Sequence, residues 1–584
     1  MAKDHVIKRA LSDDTESTGA APVSDATFLD APPLPKATEA DDSFIGGQSP
    51  TQQAGDPNGP TKSRDLSIRH GPAWRQRAHG SHCRTRRPGG KRSWPVRLPD
   101  VATRHQCSGH GDGAAGIEPF GHGAVCRFDR LDGVRAEGCA HLAQACSAVT
   151  GRVFADGIHT MTLPGSPHIA YREGQLFIDD CALGDLARRF GTPLYVYSRS
   201  AMLEALAGYQ RALVGRDHLI CYAMKANSNL AVLQTFAQAG CGFDMVSGGE
   251  LQRVLAAGGE ASKVLFSGVG KTRQELKQAL LAGVMCFNVE SDAELDVLSQ
   301  VAVDVGRSAR VSLRINPDVD PKTHPYISTG LKANKFGIAH ERAVTTYLRA
   351  AALPGLDVVG IDCHIGSQIT QTSPYLDALD RLLDLVDAVE ARGLSIQHLD
   401  LGGGLAITYT DEQPPTAETL VRALLERIDS RGHAQRKILF EPGRSLVGNA
   451  GVLVSEVLYL KPGDEKNFCI VDAAMNDLAR PAMYQAWMQI VACHLRDGAP
   501  VKFDVVGPIC ESGDWLGRDR PLSVQAGDFV AVLSAGAYSM AMASNYNSRG
   551  RAAEVMVSGR QAWLIRDRET AAELFRGEHL LPRG

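Results

Sequence analysis

ICYAMK (220–225), GFDMVS (242–247), VLFSG (264–268) and CFNVE (286–290) follow one another at intervals of 22 residues. Each is a short apolar or β-branched run that ends on polar residues. The gaps hold helix-like stretches such as NLAVLQTFAQAG (229–240) and GELQRVLAAGG (249–259). Such an interval accommodates one strand, one turn and one short helix. VSLRINP (311–317), VVGIDCHIG (358–366), HLDLGGG (398–404) and ILFEPGR (438–444) continue the alternation and bring the strands to eight. Regular strand–helix alternation predicts a parallel sheet, and eight units fit an α/β fold of the closed (β/α)8 TIM-barrel kind. An open doubly wound sheet is the alternative. The barrel is preferred because polar residues gather at the strands' C-terminal ends.

The pattern changes on both sides of this core. Beyond residue 445, GVLVSEVLYLKPG, NFCIVDAAM, VKFDVVGP and GDFVAVLSAGAYS read as strands with few helices, which predicts a β-rich C-terminal domain. Ahead of the barrel, HIAYREGQLFID (168–179) reads as a hairpin that this second sheet could recruit, and LYVYS (194–198) as a lead-in strand. Residues 1–160 are different again. They are rich in Pro, Ser, Thr, Asp and Gly, then irregular and basic through RQRAHGSHCRTRRPGGKRSW (75–94). That composition cannot bury enough apolar surface to offset chain entropy, so a disordered or spurious extension is expected, with a natural start near Met161. The basic stretch reads as a solvated tail, with a nucleic-acid arm as the alternative. The expected division is 1–160 extension, 161–195 strands joining the β domain, 196–445 barrel and 446–584 β domain.

Composition excludes some classes. With 584 residues, 44% hydrophobic and 22% charged, the chain is ordinary for a globular protein. A net charge of -4 offers no whole-chain attraction for nucleic acid or an anionic membrane. There is no apolar run long enough to span a bilayer, and the start, MAKDHVIKRALSDDTESTG, has no signal-like apolar region, so a cytoplasmic protein is expected. Thirteen cysteines occur without a CxxC pair, and those at 83, 107, 126, 139 and 146 match no ligand template, so no metal is expected.

Reacting groups of such barrels sit where strands end. In order, the ends are Lys225, Asp244, Ser267, Arg314, His364, Gly402 to Gly404, Glu441 and Arg444. A lysine ending a buried strand either snorkels to the rim or has a chemical task. One such task is a Schiff base to an aldehyde cofactor, since desolvation makes an amine nucleophilic. Consecutive glycines after the seventh strand either form a tight turn or bring backbone N–H groups to a phosphate. Glu441 could face a pyridine nitrogen, which would make the ring an electron sink and favour decarboxylation. His364 could be a base, a core histidine or a ring-stacking partner, and its position favours stacking.

The stretches YAMKAN, DMVSGGE, FSGVGK, INPDVDPKTHPYISTGLKANKFGI, CHIGSQI, LDLGGGL, FEPGRSLVGNAG, VDAAMNDLARPAMY, GPICESGD and SAGAYSMAMASNYNSR resemble the diaminopimelate decarboxylase family. These are fold-type III enzymes that use pyridoxal 5'-phosphate. The resemblance spans residues 161–584, with small departures at Ala552 and in FSGVGK. It implies that Lys225 carries the cofactor, that His364 stacks on its ring and that Glu441 bonds its nitrogen. Gly403, Gly404 and Gly443 would surround the phosphate, with Asp244, Ser267, Gly402, Arg444 and Tyr538 completing the cofactor set. Arg444, Arg480, Tyr484, Glu511 and Tyr538 would hold substrate. Cys510, the implied proton donor, and Glu511 would reach into a neighbouring subunit's site, so a homodimer is implied.

The substrate follows from charge. Diaminopimelate has a distal ammonium and a distal carboxylate, and Arg480 with Glu511 supplies a matching cation and anion. The expected reaction is loss of CO2 from meso-2,6-diaminopimelate to leave L-lysine, the last step of lysine biosynthesis. The alternatives are another basic amino acid (ornithine, arginine or lysine) or an inactive, decarboxylase-like regulatory binder.

Overall fold

The computed structural model describes residues 163–321, 323, 327, 329–331 and 334–583. The expectations for residues 1–160 and the start near Met161 lie outside them. The described chain opens with a hairpin, β1 (Ile169–Arg172) against β2 (Gln175–Ile178), extended by β3 (Cys181–Ala182). β4 (Leu194–Ser198) follows and belongs to a different sheet.

The barrel comes next. Its strands are β5 (His218–Ala223), β6 (Gly242–Met245), β7 (Val264–Phe266), β8 (Cys286–Val289) and β9 (Ala309–Asn316). A two-residue strand, β10 (Ile338–Ala339), lies beside β9. β11 (Leu356–Asp362), β12 (His398–Asp400) and β13 (Lys437–Phe440) complete the set. Every pairing is parallel, and β8–β9 together with β13–β5 close eight strands into a ring. The open-sheet alternative is thereby excluded.

Local chemistry explains the alternation. After each of the first four barrel strands a short polar side chain caps the next helix. Asn229, Ser247, Thr272 and Ser291 accept from the N–H groups of Ala231, Glu250, Glu275 and Glu294. Each such cap contributes about 1 kcal/mol. The helices then bury one stripe, for example Val232, Leu233 and Phe236, against outward strand residues such as Tyr222 and Phe243. Inward residues obey the two-residue period of a strand. Cys221, Leu265, Cys286, Val359 and Leu439 form an apolar plug low in the barrel. Two residues further along, the same inner face carries Ser267, Asn288 and Glu441, so the polar groups collect at one mouth.

The β-rich domain contains β14 (Gly451–Lys461), β15 (Phe468–Val471), β16 (Ile490–Ala492), β17 (Val501–Val506) and β18 (Trp515–Leu522). β19 (Phe529–Val532), β20 (Ala553–Ser558) and β21 (Gln561–Arg566) follow. The order is β18-β17-β15-β14-β4-β20-β21, with β19 between β14 and β16. The leading hairpin was expected in this sheet and instead forms its own. Both edges of β2 are taken by β1 and β3, so no ladder continues across, and the link is a bridge from Gln175 to His494 with single hydrogen bonds such as Asp180 N–H to Gly559 O. Ile169, Leu176 and Ile178 nevertheless pack against Val454, Ala531 and Val555.

Candidate active site

Lys225 sits in a short turn (Met224–Ala226) just beyond β5, and its Nζ is 2.6 Å from Asp244 Oδ2 at the end of β6. Burial disfavours the ammonium. Asp244, then Glu441 and Tyr538, more than offset that and hold its pKa above the ordinary lysine value. Tyr538 reaches the same turn, its backbone N–H donating to Ala226 O at 2.8 Å.

Across the mouth, Glu441 is buried at the end of β13 and accepts from Asn288 Nδ2 at 3.2 Å. The same amide donates to Ser267 Oγ at 3.2 Å. Asp362, Asp400 and Glu441 present carboxylate oxygens all within 4.8 Å of one another. Burial and then mutual repulsion push Glu441 and Asp362 well up, and burial pushes Asp400 up to about 6. Three carboxylates this close cannot all be ionised at neutral pH. Arg314 offers partial relief, with Nη1 donating to Glu290 at 3.2 Å and Nε 4.0 Å from Asp362.

His364 Nδ1 accepts the N–H of Gly403 at 3.2 Å, which leaves the proton of a neutral ring on Nε2. Burial, Arg314 and Lys225 keep its pKa well below the ordinary histidine value. The glycine run is also demanded by packing. A Cβ at Gly402, Gly403 or Gly404 would meet a neighbouring carbonyl oxygen at 2.6, 2.2 or 2.2 Å, and Gly402 and Gly404 have φ of +64° and +106°. The Gly402 N–H is spent on Asp400 Oδ1. The amides of Gly404, Gly443 and Arg444 donate to no other group among the described residues.

A second cluster lies beside this one. The Arg444 side chain donates to Ser367 Oγ from Nε (3.2 Å) and Nη2 (2.9 Å), and to Tyr409 OH from Nη1 (2.6 Å). Its Cζ is 4.8 Å from the Tyr538 ring centre. Arg480 opens the short helix Arg480–Tyr484 and is buried, with its Cζ 5.0 Å from the Tyr409 ring and 6.0 Å from that of Tyr484. Among the described residues neither guanidinium has a carboxylate partner, and Arg480 Nε has no hydrogen bond. Burial lowers the pKa of Arg480. Two buried cations without an anion are chemically suited to pair with a carboxylate.

Cys510 and Glu511 are not brought to this mouth within one chain. Both are exposed on the turn after β17, which Asp514 braces by accepting the N–H groups of Met475 and Ile509 at 2.7 Å. The Cys510 N–H donates to Asn547 Oδ1. Of eight described cysteines, the other seven are buried.

The pocket suits pyridoxal phosphate. Asp244 Oδ1, Asn288 Oδ1, Asp362 Oδ1 and Asp400 Oδ2 are buried acceptors without a hydrogen bond, a surplus that a protonated pyridine nitrogen would relieve. The three free amides suit a phosphate, and Lys225 suits an aldehyde.

A barrel with this mouth is that of a pyridoxal-dependent decarboxylase, and residues 199–448 match the family model described as the pyridoxal binding domain of such enzymes. The chain is 58% identical over 414 residues to the diaminopimelate decarboxylase of Pseudomonas aeruginosa, covering 71% of this chain and 99% of that protein. The enzyme of Vibrio cholerae is 55% identical over 410 residues, covering 70% and 98%. The crystal structure of the M. jannaschii diaminopimelate decarboxylase with L-lysine superposes with a TM-score of 0.69 at 39% identity, covering 72% of this chain and 99% of that one. The chain belongs to the diaminopimelate decarboxylase family, whose members are carboxy-lyases.

Several residues of the site had no role assigned from sequence. Asn288, Asp362, Asp400 and Ser367 all lie at or just past strand ends, and strand alternation is a signal that turns the first three inward. Tyr409, on an irregular loop, carried no such signal.

Proposed function

We propose that this chain removes, as CO2, the carboxylate at the D-centre of meso-2,6-diaminopimelate and leaves L-lysine, the last step of lysine biosynthesis. The observation that carries this reading is the buried pair Arg444 and Arg480 without an anionic partner, beside a mouth built around Lys225. Arg480 carries the discrimination, because a decarboxylase whose substrate keeps no carboxylate has no use for this further buried cation. The full-length likeness to diaminopimelate decarboxylases supports the same substrate.

When bound, pyridoxal phosphate supplies the electron sink that takes up the pair left behind as CO2 departs. Lys225 is the attachment point, and Asp244 holds its charge in place. Glu441, oriented by Asn288, would keep a proton at the pyridine nitrogen. The His364 ring would stack on the cofactor ring, and Ser267 and the Gly402 turn bound the pocket. The amides of Gly404, Gly443 and Arg444 would hold the phosphate. Tyr538 closes the site above Lys225. Arg444 and Arg480, with Tyr484, grip the carboxylate that the substrate keeps.

The outward turn of Cys510 and Glu511 supports a homodimer with shared sites. Cys510 of the partner subunit returns a proton to Cα, and Glu511 of the partner subunit pairs with the retained ammonium. No described helix is long and apolar enough to cross a membrane. We place the enzyme in the cytoplasm, with a small-molecule substrate and neither nucleic acid nor membrane as partner.

The test is CO2 release from meso-diaminopimelate against ornithine, arginine and lysine. Diaminopimelate is expected to be preferred by several orders of magnitude. Comparable release from any of the others would overturn the substrate, and no release from any would favour the regulatory binder.

A further inference from the structure

Tyr409 is 5% exposed and stands between the two arginines. Its hydroxyl accepts from Arg444 Nη1 at 2.6 Å, while its ring centre is 6.0 Å from Arg444 Cζ and 5.0 Å from Arg480 Cζ. Two like charges buried together repel, and the negative face of an aromatic ring offsets part of that repulsion. Tyr409 therefore touches both cations, through a hydrogen bond to one and a ring face to the other.

The loop that carries it is fixed at both ends. Gln368 and Ile407 exchange two hydrogen bonds, Gln368 Nε2 donating to Ile407 O at 2.6 Å and Ile407 N–H donating to Gln368 Oε1 at 3.2 Å. On the other side, the N–H groups of Tyr409 and Thr410 both donate to Glu412 Oε2 at 2.8 Å. Gln368 adjoins Ser367, which holds the opposite edge of the Arg444 guanidinium. The two groups that orient Arg444 are thus clamped to each other, and the planar fork has little freedom left.

We infer that Tyr409 is a positioning residue that sets the spacing of Arg444 and Arg480 for the carboxylate the substrate keeps. This rests on the assignment of the two arginines to that carboxylate. It assigns to Tyr409 discrimination between amino acids that carry a distal carboxylate and amines that lack one. The residue takes no part in the bond that breaks.

The experiment compares the holoenzyme with its Tyr409→Phe and Tyr409→Leu variants, titrating each calorimetrically with L-lysine and with cadaverine. These probes differ by one carboxylate. Tyr409→Phe removes a hydrogen bond to a charged group and should weaken L-lysine about tenfold. Tyr409→Leu, which loses the ring face as well, should weaken it further. Cadaverine should change less than about twofold in either variant, since it reaches neither arginine. KM for diaminopimelate should rise more than kcat falls. Unchanged L-lysine binding in both variants, or a parallel loss for cadaverine, would overturn the role of Tyr409. A wild-type enzyme that binds both probes alike would instead overturn the arginine assignment, and this inference with it.

Discussion

Asn288 and Glu441 stand on strands four places apart in an eight-strand ring, and the Asn288 amide donates to Glu441 Oε1 across the barrel at 3.2 Å. That bond spans the mouth and orients the acid that would face the cofactor's nitrogen. Asn288→Ala should lower kcat roughly tenfold, the cost of one hydrogen bond to a buried carboxyl. The cofactor should still co-purify. Steady-state CO2 release, with an absorbance spectrum of the same sample, measures both.

Lys225→Ala should abolish turnover, by more than about a thousandfold, because Lys225 is the amine paired with Asp244, whereas the buried amine of Lys271 is spent on Glu294 and two carbonyls. The variant should lose its cofactor on gel filtration. Stoichiometric retention of cofactor with near-normal rates would move the attachment point elsewhere.

Asp400 gives a pH signature in the cofactor-free protein. Its folded pKa, about 6, lies above the ordinary aspartate value, so the folded state holds the proton more tightly than the unfolded one. That contribution is present in full below about pH 4 and is lost as pH rises through 6. Asp400→Asn keeps an acceptor for Gly402 and removes the carboxyl. The variant should therefore gain about 2 to 3 kcal/mol relative to wild type between pH 4 and 7, read from urea denaturation at each pH. A constant difference across that range would contradict the assignment.

Arg480 should trade stability for binding. A buried guanidinium without an anion is costly, and Arg480→Met should raise the melting temperature of the substrate-free enzyme by a few degrees, equivalent to about 1 kcal/mol. The same variant should raise KM for diaminopimelate by about a hundredfold, having lost a charge-assisted pair. Calorimetric melting and kinetics on one preparation test both halves.

Shared sites can be tested by mixing. Lys225→Ala and Cys510→Ala should each be inactive as homodimers. Co-refolded in equal amounts, they should recover about a quarter of wild-type activity, since half the dimers carry one intact site of two. No recovery would mean that Lys225 and Cys510 serve the same site within one chain.

The barrel was legible because its signal is local. A strand, a cap and an apolar stripe recur every 22 residues through the first four units and at longer intervals after them, and each can be read without the others. Lys225, Glu441 and the glycines were legible for the same reason, since they end strands. Asp362 and Asp400 were less so. Their roles come from meeting Glu441 within 4.8 Å, which depends on ring closure and not on any local pattern. Tyr409 reaches Arg480 through a loop anchored by Gln368, some 40 residues away in the chain, and no period marks it. The hairpin at 169–178 was recognisable as a hairpin, but its sheet was not, because edge occupancy is a tertiary fact.

β4 has one further consequence. It pairs with β14 on one side and, in parallel, with β20 on the other, at Ala553 to Val557. Both partners lie beyond the whole barrel in the sequence. The strand at Leu194–Ser198 therefore meets its neighbours only once the whole barrel sequence has been synthesised. Once in place, it closes a loop of some 250 residues whose two ends are fastened side by side. No single cut in the chain can separate the two domains as intact pieces, so a stand-alone barrel would have to be obtained by excising its sequence at both ends.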